Sequence, residues 1–271
     1  MKRIPFDTSW PESVKLSHSY DELEFWGSRS DLGYTYSYEN RFKITIDLVK
    51  RAATPPARIL DLAAAQGNFS LALAELGYDV VWNDLRAELV TYVRQKHEFG
   101  SIEYLPGNIF DLPVEDIGLF DVVLATEIIE HVAHPDDFLR KLSSLLKDSG
   151  KIVLTTPNGA YFRNFLPRFS DCPDPSIFES VQFQPNADGH IFLPYADELE
   201  VWAHKAGLEI EQLTIFNNFL SKGHVKTGKL LPLLPKWLVV ANEKLTQAAP
   251  MAIQSRISAS LAASLRRSPP R

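Results

Sequence analysis

The chain predicts an α/β fold built on a parallel sheet, and three observations carry that prediction. Short strand-like runs alternate with helical patterns of about ten residues, the rhythm of βαβ units. Phe120–Thr126 (FDVVLAT) is an almost unbroken apolar run, as expected of a strand covered on both faces. The composition is that of an ordinary globular protein, 45% hydrophobic and 23% charged over 271 residues, neither collagen-like nor disordered.

The elements follow in order. Residues 1–38 hold Trp10, Tyr20, Phe25, Trp26, Tyr34, Tyr36 and Tyr38 among polar residues without steady periodicity, so they read as an irregular aromatic arm, packed on a core or closing over a substrate. From Glu39 to Ala53 the spacing of Phe42, Ile46 and Val49 predicts a helix, stopped by Thr54-Pro55-Pro56. Arg58–Asp61 predicts a buried strand, and a small-residue loop leads to a helix from Asn68 to Leu76, ended by Gly77. Asp79–Asp84 is the second strand, Ala87–His97 a helix, Ser101–Leu105 the third strand and Phe120–Thr126 the fourth. Phe138, Leu139, Leu142, Leu145 and Leu146 stripe a helix that opens at Pro135 and closes before Gly150. Lys151–Thr156 is the fifth strand. Residues 157–193 are proline-rich and aperiodic, which predicts a functional insertion. A helix over Tyr195–Ala206, a strand over Leu208–Ile215, a second insertion at 216–252 and a last strand over Ile257–Leu265 complete the reading.

Composition also excludes classes of partner. With 28 Lys and Arg against 34 Asp and Glu, the net charge of −6 argues against nucleic acid, which needs clustered cations. Cys172 is the single cysteine, which rules out an intramolecular disulfide and a thiolate zinc site. The residues after Met1–Asp7 are polar rather than an apolar signal core, and together with the lone cysteine this points to a cytoplasmic protein. The stretch Leu230–Ala241 is broken by prolines and Lys236 and is too short for a span. Leu230–Val240 with Trp237 can rest weakly on a membrane surface, but a hydrophobic lid is the preferred reading. Oligomeric state is not legible.

In an open parallel sheet, ligands bind beyond the carboxyl ends of the strands where the strand order reverses. Asp61-Leu-Ala-Ala-Ala-Gln-Gly67-Asn68 lies at such an end. Its small side chains allow a ligand close approach, and the next helix presents unpaired N–H groups. Asp84, closing the second strand, can take both hydroxyls of a ribose. The glycine spacing is not G-x-G-x-x-G, and Asp61 inside the loop would repel a pyrophosphate, so a cofactor carrying an amine and a sulfonium suits it better.

These segments, with GNIFDLP (107–113), FDVVLATEIIEHV, LLKDSG and KIVLTTPN, make the chain resemble a class I S-adenosylmethionine-dependent methyltransferase from Arg58 to Leu213. The similarity is to the branch containing ubiquinone-biosynthesis O-methyltransferases and many sugar and natural-product enzymes. It implies a Rossmann-like, mostly parallel seven-stranded sheet of order 3-2-1-4-5-7-6, flanked by helices, with an antiparallel final strand. The expected division is an arm and lid helix over 1–56, a methyltransferase domain over 57–267 carrying the two substrate-side insertions, and a tail over 268–271. The resemblance further implies that Asp61, Ala63, Ala65, Gly67 and Asn68 hold the methionine part of S-adenosylmethionine. Asp84 would bind the ribose, Leu85, Asn108 and Ile109 would edge the adenine, and Thr126 and Glu127 would line the transfer site. Where the family has glycines this chain has Ala63 and Ala65; the second departure is the unusual one, because the backbone there runs close to the cofactor.

Glu127-Ile-Ile-Glu130-His131 places two carboxylates and an imidazole at i, i+3 and i+4, able to converge on one side of a helical turn. In resembling families the His sits over the methyl group as a base or positioner, or Glu-x-x-Glu-His and a later His hold a divalent metal. Here that later His is His190. A helix start whose Glu130 offsets the dipole is the third reading. The expectation is O-methylation of a small polar acceptor (a sugar, a phenol or a biosynthetic intermediate), with His131 and His190 as candidate bases. Trp26, Tyr34 and Tyr36 are candidates to close the pocket. Metal-dependent RNA 2′-O-methylation through Glu127, Glu130, His131 and His190, and a non-catalytic binding protein on the same fold, stand as alternatives.

Overall fold

The computed structural model describes residues 1–27, 31–182 and 189–269; parts of the expected arm, first insertion and tail lie outside the described residues. Helix α1 (Glu12–Glu24) and helix α2 (Leu32–Ala52) precede strand β1 (Arg58–Leu62). Then come α3 (Asn68–Glu75), β2 (Asp79–Asn83), α4 (Leu89–Lys96), β3 (Ser101–Tyr104), the single turn α5 (Val114–Ile117) and β4 (Phe120–Thr126). The chain continues with α6 (Pro135–Ser144), β5 (Leu146–Pro157), α7 (Ala196–Lys205), β6 (Leu208–Asn218), α8 (Lys236–Gln247), α9 (Met251–Ile257) and β7 (Ser258–Arg267).

The strands form one sheet of order β3-β2-β1-β4-β5-β7-β6. β1 pairs in parallel with β2 and β4, whereas β7 runs antiparallel to both β5 and β6. This is the mostly parallel, seven-stranded arrangement that the resemblance implied. Side chains alternate between the two faces, as the pleat requires. Leu60, Val123, Ala125, Ile152 and Leu154 join Phe138, Leu139 and Leu142 of α6 and Trp202 of α7 in one core. Ile59, Val122, Leu124 and Val153 join Ile46, Leu48 and Val49 of α2 and Leu73 of α3 in the other.

Three differences from the sequence reading have physical causes. The irregular arm is helical: α1 buries Val14, Ser17, His18, Asp21 and Glu24, a helical spacing whose members are mostly polar and so leave no hydrophobic period. α2 opens at Leu32 rather than near Glu39, because Asp31 caps it by accepting the Tyr34 N–H at 3.0 Å. α6 ends at Ser144, and β5 begins at Leu146 by pairing with Phe120 before a register shift brings Lys151 opposite Val122. The second insertion also folds into α8 and α9. No helix of the described residues is long and apolar enough to cross a membrane.

Candidate functional site

At the carboxyl end of β1 the chain leaves the sheet through residues 63–67 and enters α3. Ala63 and Ala65 both adopt left-handed backbone, φ 54° and 46°, and Gly67 follows at 70°. Only Gly67 is sterically bound to be glycine, since a Cβ there would meet Val93 Cγ1 at 2.7 Å. The loop is clamped from β2. The Ala64 N–H donates to the Asn83 carbonyl (2.9 Å), the Ala65 N–H to the Asp84 carboxylate (2.9 Å), and Trp82 Nε1 to the Ala65 carbonyl (3.2 Å).

Asp61 lies beneath this loop, fully buried. Its Oδ2 accepts from Ser70 Oγ at 2.5 Å, while Oδ1 has no partner among the described residues. Burial pushes its carboxyl up to about 7, against the Ser70 hydrogen bond. Asp84 is also buried, accepting from Arg86 through its backbone N–H and its Nε, both at 2.9 Å. On the other side Lys96, fully buried, donates to Asn68 Oδ1 (2.7 Å), to the Gln66 carbonyl (2.9 Å) and to Asp21 of α1.

The site comprises two cavities of about 450 Å³ each. The first is lined by Ala63, Ala65, Asn68, Asp84, Leu85 and Thr126, with His131 on its wall. The second lies towards Asn158, Tyr161, Arg163, Asn217, Lys222 and His224. Glu24, Tyr34, Tyr38, Arg41, Glu127 and His190 face both. Arg41 pairs with Glu127 (3.0 Å) and Glu24 (3.7 Å) and covers the Tyr38 ring.

Several expected residues are placed differently. Ile109 is packed in the core rather than on the cavity wall, and Asn108 caps the turn after β3, accepting the Phe110 N–H at 3.2 Å. Of the aromatic trio only Tyr34 lines the cavities; Trp26 packs on Phe25 and Tyr36 lies beneath Lys236. The convergence of Glu127 with Glu130 and His131 requires correction. Glu127 has φ 51° and stands outside the turn, which is a 3₁₀ helix over Ile129–His131, so helical spacing does not apply to it. Its carboxylate instead accepts from Thr155 Oγ1 (2.9 Å) and pairs with Arg41.

What remains together is Glu130, His131 and His190, whose ligand atoms lie within 4.8 Å of one another. The two rings meet edge to face at 5.0 Å between centroids. Glu130 is buried, its Oε2 accepting from Thr156 Oγ1 at 2.9 Å, and burial beside Glu127 holds its carboxyl well above the usual range. His131 Nδ1 lies 3.2 Å from the Gly189 carbonyl. A carbonyl only accepts, so that geometry puts the proton of the neutral ring on Nδ1 and leaves Nε2 as the basic nitrogen. Arg41, Glu24, Lys222 and His224 were missed in the sequence, because they come from elements far apart in the chain and carry no shared motif.

The strand order, the loop after β1 and the carboxylate after β2 define a class I, Rossmann-like nucleoside-binding domain. A family profile described as a methyltransferase domain matches residues 37–213, and the chain belongs to that family, in its S-adenosylmethionine-dependent class. The chain is 40% identical over 111 residues to a ubiquinone biosynthesis O-methyltransferase of Xanthomonas campestris, covering 40% of this chain and 46% of the relative, so it spans about half that relative's length. In fold it resembles the CcbJ methyltransferase of Streptomyces caelestis (TM-score 0.56, 15% identity, 84% of this chain and 89% of that one). It also resembles an S-adenosylmethionine-dependent methyltransferase of Mesorhizobium loti (TM-score 0.55, 16% identity, 82% and 96%). The residues present fit that cofactor: Ala63, Ala64 and Ala65 on the cavity wall admit close approach, and Asp61, which with Gly67 lies behind that wall rather than in the lining, keeps a buried oxygen without a partner among the described residues.

Proposed function

We propose that the chain is an O-methyltransferase acting on a small hydroxyl-bearing acceptor, with His131 and His190 serving that hydroxyl. The observation that carries the reading is the pair of joined cavities with His190 facing both and His131 presenting a basic Nε2 beside it. The relatives' name, ubiquinone biosynthesis O-methyltransferase, supports oxygen as the acceptor atom.

S-adenosylmethionine supplies a methyl group already activated on a sulfonium, which reduces the protein's task to alignment and proton removal. Asp61, the loop from Ala63 to Asn68, Asp84, Leu85 and Thr126 are the residues that would hold it. Fixing donor and acceptor in line is worth up to about 7–11 kcal/mol in favourable cases. A histidine within reach of the acceptor hydroxyl removes its proton and adds about 10²–10⁴-fold. Arg41, held by Glu24 and Glu127, keeps two carboxylates from standing uncompensated between the cavities.

His131→Ala is expected to lower turnover by about 10²–10⁴-fold while S-adenosylhomocysteine affinity stays at the wild-type value. Unchanged turnover removes His131 from the mechanism. A second reading, favoured by the Glu130, His131 and His190 cluster, has a divalent cation polarise the acceptor hydroxyl there. Activity lost on exhaustive chelation and restored by magnesium or manganese supports the cation; activity that survives chelation supports the histidine base.

A further inference from the structure

We propose that the acceptor carries an acidic group, a carboxylate or a phosphate, that docks on Lys222 and Arg163 beside the Tyr161–His224 pair. The inference rests on reading the second cavity as the acceptor site, and it names the class of acceptor that cavity takes.

Charge on the cavity wall is unevenly paired. Arg41 is compensated by Glu24 and Glu127. The side chains of Lys222 and Arg163 have no hydrogen-bond or ion-pair partner among the described residues; the Lys222 ammonium only overlooks the Tyr34 ring at 5.9 Å. Asp31 faces the same region from the start of α2, but its side chain caps the Tyr34 N–H and forms no ion pair with either cation.

The neutral donors on the wall are already used. Asn158 gives its amide hydrogens to the Ser255 and Ser258 carbonyls, both at 2.7 Å. Asn164 donates to the Gly159 carbonyl (2.8 Å), and Asn217 donates to the Ser37 carbonyl and Ser260 Oγ, both at 3.1 Å. Tyr161 and His224 bond to each other at 2.8 Å with their rings stacked. An acceptor entering here meets the Lys222 and Arg163 side chains, whose hydrogen bonds are unmade, near Arg41, whose Nε is also without a partner among the described residues, and such cations attract an anion.

Both cations line the second cavity together with His224. Positive charge on Arg163 and Lys222, added to burial, lowers the His224 pKa to about 4, so the imidazole is neutral and adds no competing charge. Burial and then Arg41 lower the Lys222 pKa, against the pull of Glu127, Glu24 and Asp31, none of which forms an ion pair with its ammonium. Its backbone is fixed: the Lys222 N–H donates to the Asn218 carbonyl (2.9 Å), and the Lys222 carbonyl abuts Gly33, where a Cβ would come within 2.5 Å of it. A preordered cation binds an anion without the cost of ordering a loop.

The test is calorimetric titration of the full chain, preloaded with S-adenosylhomocysteine, with benzoate, phenyl phosphate and phenol. At least one anion is expected to bind about tenfold or more tightly than phenol, as a charge-assisted contact requires. Preference for benzoate assigns the docking group to carboxylates, and preference for phenyl phosphate assigns it to phosphate esters. Lys222→Met and, separately, Arg163→Gln should each remove about tenfold of the anion's advantage. S-adenosylhomocysteine affinity should stay unchanged in both, since neither residue lines the first cavity. Equal binding of all three probes, or an anion preference retained in both variants, overturns the inference. Failure of the wild-type chain to bind S-adenosylhomocysteine contradicts the methyltransferase reading itself, so the two failures are told apart.

Discussion

Ala63 and Ala65 occupy left-handed backbone, where a Cβ costs roughly 1–2 kcal/mol and glycine has no such penalty. The price of glycine's added freedom in the unfolded chain takes back part of that. Ala65→Gly should therefore stabilise the protein by about 1 kcal/mol, read as a raised urea midpoint with an unchanged slope. Gly67→Ala should destabilise it, because its Cβ would press on Val93 as well as strain the backbone. The Ala-for-Gly departure was visible in the sequence, but that the loop keeps its glycine-like backbone was not, since φ is set by the clamp from Asn83, Asp84 and Trp82. Asp61 supports a second prediction. Its folded carboxyl keeps its proton to about pH 7, whereas an unfolded aspartate releases it near pH 4. Between those values the folded state binds more protons, so this residue's contribution to stability falls as pH rises. Asp61→Asn removes that contribution, and its stability relative to wild type should climb from pH 5 to pH 8. Parallel stability curves for the two proteins would contradict the assignment.

At the scale of elements, α1 explains why the N-terminal segment resisted reading. Its inward face is polar because it closes over polar partners: Asp21 accepts from Asn68 Nδ2 (2.7 Å), from Tyr92 (2.6 Å) and from Lys96. Hydrophobic periodicity detects helices that pack on apolar cores, and it does not register one held by a hydrogen-bonded network. α6, by contrast, was legible because Phe138, Leu139 and Leu142 all enter a core. The turn after β4 misled in the opposite way, as Glu127 has the right spacing for a helix and the wrong backbone. Lys96 ties α1 and α4 to the loop that precedes α3. Lys96→Met should cost about 3–5 kcal/mol, since it leaves Asp21 buried without its cation. The same change should weaken S-adenosylhomocysteine binding by loosening Gln66 and Asn68. A urea midpoint close to wild type would show that the network is not structural.

For the whole molecule, the order of the sheet sets where chemistry can occur. Strands β1, β2 and β4 end side by side, so Asp61, Asp84 and Glu127 reach one edge of the sheet from separate parts of the chain. That edge was readable from βαβ rhythm and from the segments around Asp61 and Asp84. The second cavity was not, because its walls come from α2, the chain after β5 and the turn after β6, which meet only in the folded protein. The claim on which the rest depends is that the first cavity takes a sulfonium nucleoside. Titration calorimetry of the wild-type chain with S-adenosylmethionine and with NAD tests it most directly. The account predicts micromolar binding of S-adenosylmethionine, weakened at least about tenfold by Asp84→Asn, and no uptake of NAD. Absence of S-adenosylmethionine binding at millimolar ligand, or preferential binding of NAD, would contradict it.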